Sequence, residues 1–288
     1  MAATYEDRYW TSSDGLNLHY RNYPGPETGA KLPVLCMHGL TRNSRDFAAL
    51  AEDLAATRRV IVPEMRGRGL SAYAPDSDTY SPITYVADVE KLLAEQGIDR
   101  FVVIGTSMGG LMAMLMAAAR PGRIAAVVMN DIGPVIETDG LSRISGYVGQ
   151  GRSYPTWVHA ARGLAEAHSA AFPDYDLDQW LEMAKRTMVV TQNGRIGFDY
   201  DMAIAEPFAK PGNAAPADLW SAFDALAGVS MLLVRGALSD LLSEDTVRQM
   251  GARNLAMRTV TVPRVGHAPT LDEPEVRAAI HALLDGAE

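Results

Sequence analysis

The stretch Phe101-Val102-Val103-Ile104-Gly105-Thr106-Ser107-Met108-Gly109-Gly110 decides how the rest of the chain is read. It opens on four consecutive apolar residues, three of them β-branched, the pattern of a strand buried on both faces. Leu111 to Ala119 continues as an apolar, Met- and Ala-rich run, which predicts a buried helix. A strand that turns at once into a helix strains the residue at the bend. Only small neighbours let the two elements pass so closely, and Gly105 and Gly109 supply them. Ser107 is then held at the tip with its hydroxyl exposed, beside the amide of Met108 at the helix N-terminus. A hydroxyl so placed is a candidate nucleophile, and the adjacent N–H is a candidate oxyanion donor.

Outward from this bend, buried-strand patterns recur at Val34–Met37, Val60–Val62, Ile124–Met129, Val229–Arg235 and Arg258–Val262. Helical patterns separate them: Ser44 to Ala56, Ser81-Pro82 to Gln96 before Gly97, Ser243 to Arg253, and a last helix opened by an Asp272-x-x-Glu275 capping box. Near the start, Tyr9–Ser12 and Leu16–Tyr23 flank Asp14-Gly15 and predict a hairpin whose second strand turns His19 to solvent. Pro24 to Gly29 is loop. From about Gly133 to Gly228 strand runs vanish and helix-like pieces appear, Thr156 to His168 and Leu177 to Val190. Alternating strands and helices on both sides of this segment imply an α/β fold, a mostly parallel central sheet with helices on both faces. Residues 1–132 and 229–288 form its core. The segment 133–228 is too long for a connection, so it reads as a helical lid over the carboxyl edge of the sheet.

Composition bounds what this fold does. Net charge is −9 over 288 residues, which disfavours a nucleic-acid or anionic-membrane partner. No run approaches the roughly 20 apolar residues of a membrane span. The first residues, Met1 to Arg8, carry acids and no apolar run of signal-peptide length. The one cysteine, Cys36, lies in a strand pattern as a small buried hydrophobe. A cytoplasmic protein of unspecified oligomeric state is expected. No metal-ligand spacing, cysteine pair or phosphate loop is present, so no metal or cofactor is expected.

A serine needs a base within reach, and the base needs an orienting acid. Of the six histidines, His267 in Val265-Gly266-His267-Ala268-Pro269 follows the last strand, where catalytic loops gather. Asp240, in the loop after Met231–Arg235, is the favoured acid. Asp131, at the end of the Ile124–Met129 strand, is its rival.

In this order His38-Gly39, Arg66-Gly67-Arg68-Gly69, Gly105-Thr106-Ser107-Met108-Gly109-Gly110, Asp240 and Gly266-His267 resemble the α/β-hydrolase family over nearly the whole chain. The resemblance implies oxyanion donors at the backbone N–H groups of Leu40 and Met108. It implies a structural role for Glu64, where many members carry Asp, and it makes segment 133–228 the cap domain. The implied activity is a serine hydrolase cleaving a carboxylic ester of a small, largely apolar substrate through an acyl-enzyme. Lactone opening and carbon–carbon cleavage of a ring-fission diketone are the enzymatic alternatives, and a single-turnover small-molecule receptor is the other class. Tyr147, Tyr154, Trp157, Trp180, Met183 and Met188 are candidate pocket walls. Met112 and Met116 read as core. Arg42 and Arg45 read as a solvated helix start, with substrate carboxylate as the other reading.

Overall fold

The structure is a computed structural model that describes residues 4–28, 31–209 and 219–287. Gly29, at the end of the expected loop, lies outside the described residues. So do the chain ends at 1–3 and 288, within the expected core ranges, and residues 210–218 of the insertion.

The strands are β1 (Glu6–Thr11), β2 (Asn17–Tyr23), β3 (Lys31–Met37), β4 (Arg58–Pro63), β5 (Phe101–Thr106), β6 (Ile124–Asn130), β7 (Ser153–Tyr154), β8 (Met188–Val190), β9 (Ile196–Phe198), β10 (Ser230–Gly236) and β11 (Met257–Val262). The helices are α1 (Ala48–Leu54), α2 (Pro82–Glu95), α3 (Met108–Ala119), α4 (Thr138–Tyr147), α5 (Trp157–His168), α6 (Leu177–Thr187), α7 (Ala205–Ala209), α8 (Trp220–Asp224), α9 (Glu244–Arg253) and α10 (Pro274–Asp285). The main sheet has the order β1-β2-β4-β3-β5-β6-β10-β11. The antiparallel hairpin of β1 and β2 adds at one edge, and every pairing from β4 to β11 is parallel. Parallel strands need helical crossovers, and these cover both faces. Val103 of β5 packs with α2 and α3 (Leu92, Met112, Met116) on one side. Val102 and Ile104 pack with α1 and α10 (Leu54, Ile280) on the other. Parallel alignment also gathers the carboxyl ends on one edge. His38, Glu64, Ser107 and Asp131 each directly follow a strand there, and His267 follows β11 by a short loop.

The insertion lies between β6 and β10. Its helices α5 and α6 pack around Leu164, Phe172, Trp180 and Met183 as a separate small core. It is not purely helical: β7, β9 and β8 form a three-stranded antiparallel sheet. These strands are two or three residues long, too short to show an alternating pattern, so the expected helix from Leu177 ends at Thr187 and Met188–Val190 is strand.

Three local expectations are corrected. His19 is not solvent-facing: it is 1% exposed, its ring bonded to Asp7 and Glu64, because β2 is covered on both faces. The segment from Ser44 begins as a 3-10 turn over Ser44–Phe47 capped by Asn43, and only then becomes α1. The last helix has Glu273, not Asp272, at its N-cap with no side-chain cap; Asp272 instead accepts from Arg186 and Arg277. The Ser81 and Ser243 caps form as expected.

Candidate active site

The bend between β5 and α3 is as tight as its glycines imply. A Cβ on Gly109 would stand 2.0 Å from the Met37 carbonyl oxygen, and one on Gly105 2.5 Å from that of Gly109. Ser107 adopts φ 51° and ψ −114°, a strained conformation for a side chain with a Cβ. Its hydroxyl points to His267, with 2.9 Å between Oγ and Nε2. The other ring nitrogen of His267, Nδ1, is 2.8 Å from Oδ2 of Asp131.

Asp131, not Asp240, is therefore the carboxylate on His267. The register explains it. Thr106 pairs with Asn130 across β5 and β6, so Ser107 and Asp131 are the first residues beyond one rung of the ladder. Asp131 is fully buried at φ 55°. Its oxygens accept from the Gly236 N–H (2.8 Å) and the Ser239 hydroxyl (2.6 Å). These two donors fix the orientation of the carboxyl group, so that Oδ2 faces the imidazole. The loop expected to present Asp240 thus serves to hold Asp131. Asp240 itself turns away into a bidentate pair with Arg143 of α4, Nε–Oδ2 2.5 Å and Nη2–Oδ1 2.8 Å. The Arg143 hydrogen bonds hold its carboxyl below the usual carboxylate range. A partner from the far side of the insertion leaves no local trace in the sequence.

Two main-chain donors near Ser107 take no acceptor among the described residues. Met108 is the first residue of α3, so its N–H has no acceptor within the helix. The Leu40 N–H takes no backbone acceptor among the described residues. His38 orients the Leu40 amide. Its Nδ1 is 2.7 Å from the Gly39 carbonyl oxygen, and its Nε2 accepts from the Met65 N–H at 3.1 Å. A planar trans peptide whose oxygen is pinned has its N–H pinned in the opposite direction. Burial holds His38 down at about 4, so it stays a neutral donor–acceptor. Arg68, fully buried, donates from Nε to the Leu40 carbonyl at 2.9 Å and lies 4.8 Å from the centre of the Tyr85 ring. Behind it, burial works to raise Glu64, but hydrogen bonds from His19 and Ser44 hold it down at about 2. A Cβ on Gly69 would fall 2.1 Å from its carboxylate. The Glu64 carboxylate is 2% exposed and accepts from Ser44 and Leu70 N–H groups, which ties the loops after β3 and β4 together.

Above these groups, under the insertion, lies a cavity of about 530 Å³ reached by Ser107 and His267. Of the expected walls, Tyr147, Tyr154 and Met183 line it. Trp157, Trp180 and Met188 do not; they belong to the insertion's own core, where Trp180 stacks edge-on against Phe172 and Tyr175. Phe198, Tyr200, Ile144, Arg143 and His168 line the cavity without having been anticipated, because which face of an insertion helix turns inward depends on its packing. Arg42 also lines the cavity, paired with Asp46, so it is not a solvated helix start. Arg45 instead ties the sheet edge to the insertion through Asp199 and the Arg186 carbonyl. Among the described residues there is no cluster able to hold a metal ion, and no helix is long and apolar enough to cross a membrane.

A family model for the alpha/beta hydrolase fold matches residues 33–274. A 3-hydroxybutyrate-oligomer hydrolase of Cupriavidus necator is 36% identical over 261 residues, 88% of this chain and 88% of that one. Lipase LipV of Mycobacterium tuberculosis is 35% identical over 64% of this chain and 66% of its own length. Among solved structures, an alpha/beta hydrolase from Novosphingobium aromaticivorans is 58% identical, covers 99% of both chains and superposes with a TM-score of 0.94. The chain belongs to the alpha/beta-hydrolase fold family.

Proposed function

We propose that this hydrolase of small ester- or lactone-type substrates is a serine carboxylic-ester hydrolase that works through an acyl-enzyme on Ser107. The observation that carries the reading is the unbroken relay Ser107–His267–Asp131, at 2.9 and 2.8 Å, beside the Leu40 and Met108 N–H groups, which take no backbone acceptor among the described residues. With Asp131 holding the proton on Nδ1, Nε2 of His267 is free to take the Ser107 proton as Oγ attacks the ester carbonyl. The oxygen that becomes negative is met by two donors that need no reorganisation. His267 then returns the proton to the departing alcohol, and water repeats the steps on the acyl group. Asp131 stabilises the imidazolium and fixes its orientation.

The cavity walls, with Ile144, Phe198 and Met183, suit a short apolar acyl or alcohol chain. The likeness to the Cupriavidus necator enzyme makes short esters of hydroxy acids the substrates to try first. The test is a panel of 4-nitrophenyl acetate, butyrate and octanoate, with a 3-hydroxybutyrate dimer, a lactone and a ring-fission diketone beside them. Ester turnover that falls by at least about 10³-fold in Ser107→Ala and His267→Ala is expected. Undiminished turnover in Ser107→Ala would sink the mechanism.

A further inference from the structure

From the side chains around the cavity, we infer that it holds an anion subsite and that the preferred substrates are esters carrying a second, free carboxylate, bound by Arg42 and Arg143. This rests on the ester-hydrolase reading above. The chain as a whole carries −9, yet four guanidinium groups, those of Arg42, Arg143, Arg152 and Arg186, line the cavity. Asp46, Asp240 and Asp272 pair with Arg42, Arg143 and Arg186, and Glu166 lies among them, so the subsite rests on the donor edges these pairs leave open and not on net charge.

Arg42 and Arg143 are held in the same way. Arg42 gives Nε and Nη2 to Asp46 at 2.6 and 2.8 Å, and Arg143 gives the same two nitrogens to Asp240. Each carboxylate fixes one edge of a planar fork; the Arg143 fork also meets the Tyr147 hydroxyl, and neither Nη1 has a carboxylate partner among the described residues. Arg42 also stands next to the chemistry. A Cβ on Gly39 would lie 3.4 Å from Cγ of Arg42 and 3.8 Å from Cβ of Ser107, so the two side chains flank one point.

His168 is the second sign. Its ring lies edge-on to Tyr147, 5.2 Å between centres, and takes no side-chain hydrogen bond among the described residues. Burial first, then the nearby Arg143 and Arg42, hold it down at about 4, so its ring shares that end of the cavity with both guanidinium groups. Tyr147, a neighbour of both guanidinium groups, lines the same end. A bound carboxylate would accept from both forks and supply the missing acceptor there.

The probes are mono-(4-nitrophenyl) adipate and its methyl ester, which differ only in the charge at the far end. Wild-type enzyme should favour the acid by at least about tenfold in kcat/KM, the scale of one charge-assisted hydrogen bond. Arg143→Gln and Arg42→Gln should each cut that preference about tenfold, chiefly through KM for the acid. Asp240→Asn should move it the other way, since it releases the Arg143 fork. A merely structural ion pair would make Arg143→Gln and Asp240→Asn fail in the same direction. Equal kcat/KM for acid and methyl ester in the wild type overturns the subsite, as does an unchanged preference in Arg143→Gln. Hydrolysis of the methyl ester reads the ester-hydrolase reading by itself, so the two failures are separable. Should Arg143→Gln not fold, the sign of the Asp240→Asn change decides.

Discussion

On the sheet side of the cavity the reacting groups are set by main chain. Ser107 and Asp131 stand one residue past a shared rung of β5 and β6, and the amides proposed as oxyanion donors follow β3 and open α3. On the insertion side the cavity is shaped by side chains from α4, α5 and α6, whose positions depend on ion pairs such as Arg143–Asp240 and on a small separate core. The sheet side is rigid because each group is a fixed step beyond a buried strand. The insertion side is tuned by side-chain contacts that substitution can rearrange without disturbing the sheet. The proposed function therefore puts the chemistry on the first wall and the selectivity on the second.

The comparison breaks most visibly at the two aspartates. Asp131→Asn should lower kcat on 4-nitrophenyl butyrate by about 10³- to 10⁴-fold, because the amide stabilises the wrong tautomer of His267. Asp240→Asn should cost no more than about threefold on the same neutral ester. Equal losses at both positions would return Asp240 to the relay and erase the division between the walls.

A smaller effect tests whether the oxyanion amide is held by its neighbours. His38→Ala leaves the Gly39 carbonyl and the Met65 N–H without their partner. We expect kcat to fall by about 10- to 100-fold with KM nearly unchanged, since losing an oxyanion donor outright costs about 10²- to 10³-fold. Steady-state kinetics with a matched circular-dichroism spectrum separate this from misfolding.

The smallest effect concerns pH. His38 and His168 sit at about 4 when folded, below the ordinary 6.5 of an unfolded histidine. The unfolded chain then binds more protons between those values, so stability is full above pH 6.5 and drains as pH falls toward 4. For fully buried His38 this is on the order of 3 kcal/mol. Glu64 acts lower: its stabilisation is present above 4.5 and is lost as pH falls toward 2. Urea midpoints should decline from pH 7 to pH 5, and His38→Asn should flatten part of that slope. A midpoint unchanged over this range would contradict the burial argument.

Much of this was legible in local patterns. Two-sided apolar runs between glycines mark buried parallel strands, and the run before Gly105 located the bend that carries Ser107. The rule that parallel strands deliver their loops to one edge brought His267 into consideration. The same rule could not choose between Asp131 and Asp240, because both follow a strand. The choice required the β5–β6 register and Arg143, a partner 97 residues from Asp240. His19 misled for a related reason: alternation along β2 says which residues share a face, not whether another layer covers it.

By itself, the sequence determined the strand-and-helix order, the strained bend at Ser107 and the carboxyl edge as the place of chemistry, since these follow from short-range sterics and periodicity. Tertiary structure alone decided which carboxylate meets His267, which aromatic rings face the cavity and which guanidinium groups point into it. Those are contacts between segments scores of residues apart, and long-range side-chain pairing leaves no signature in the neighbourhood of either partner.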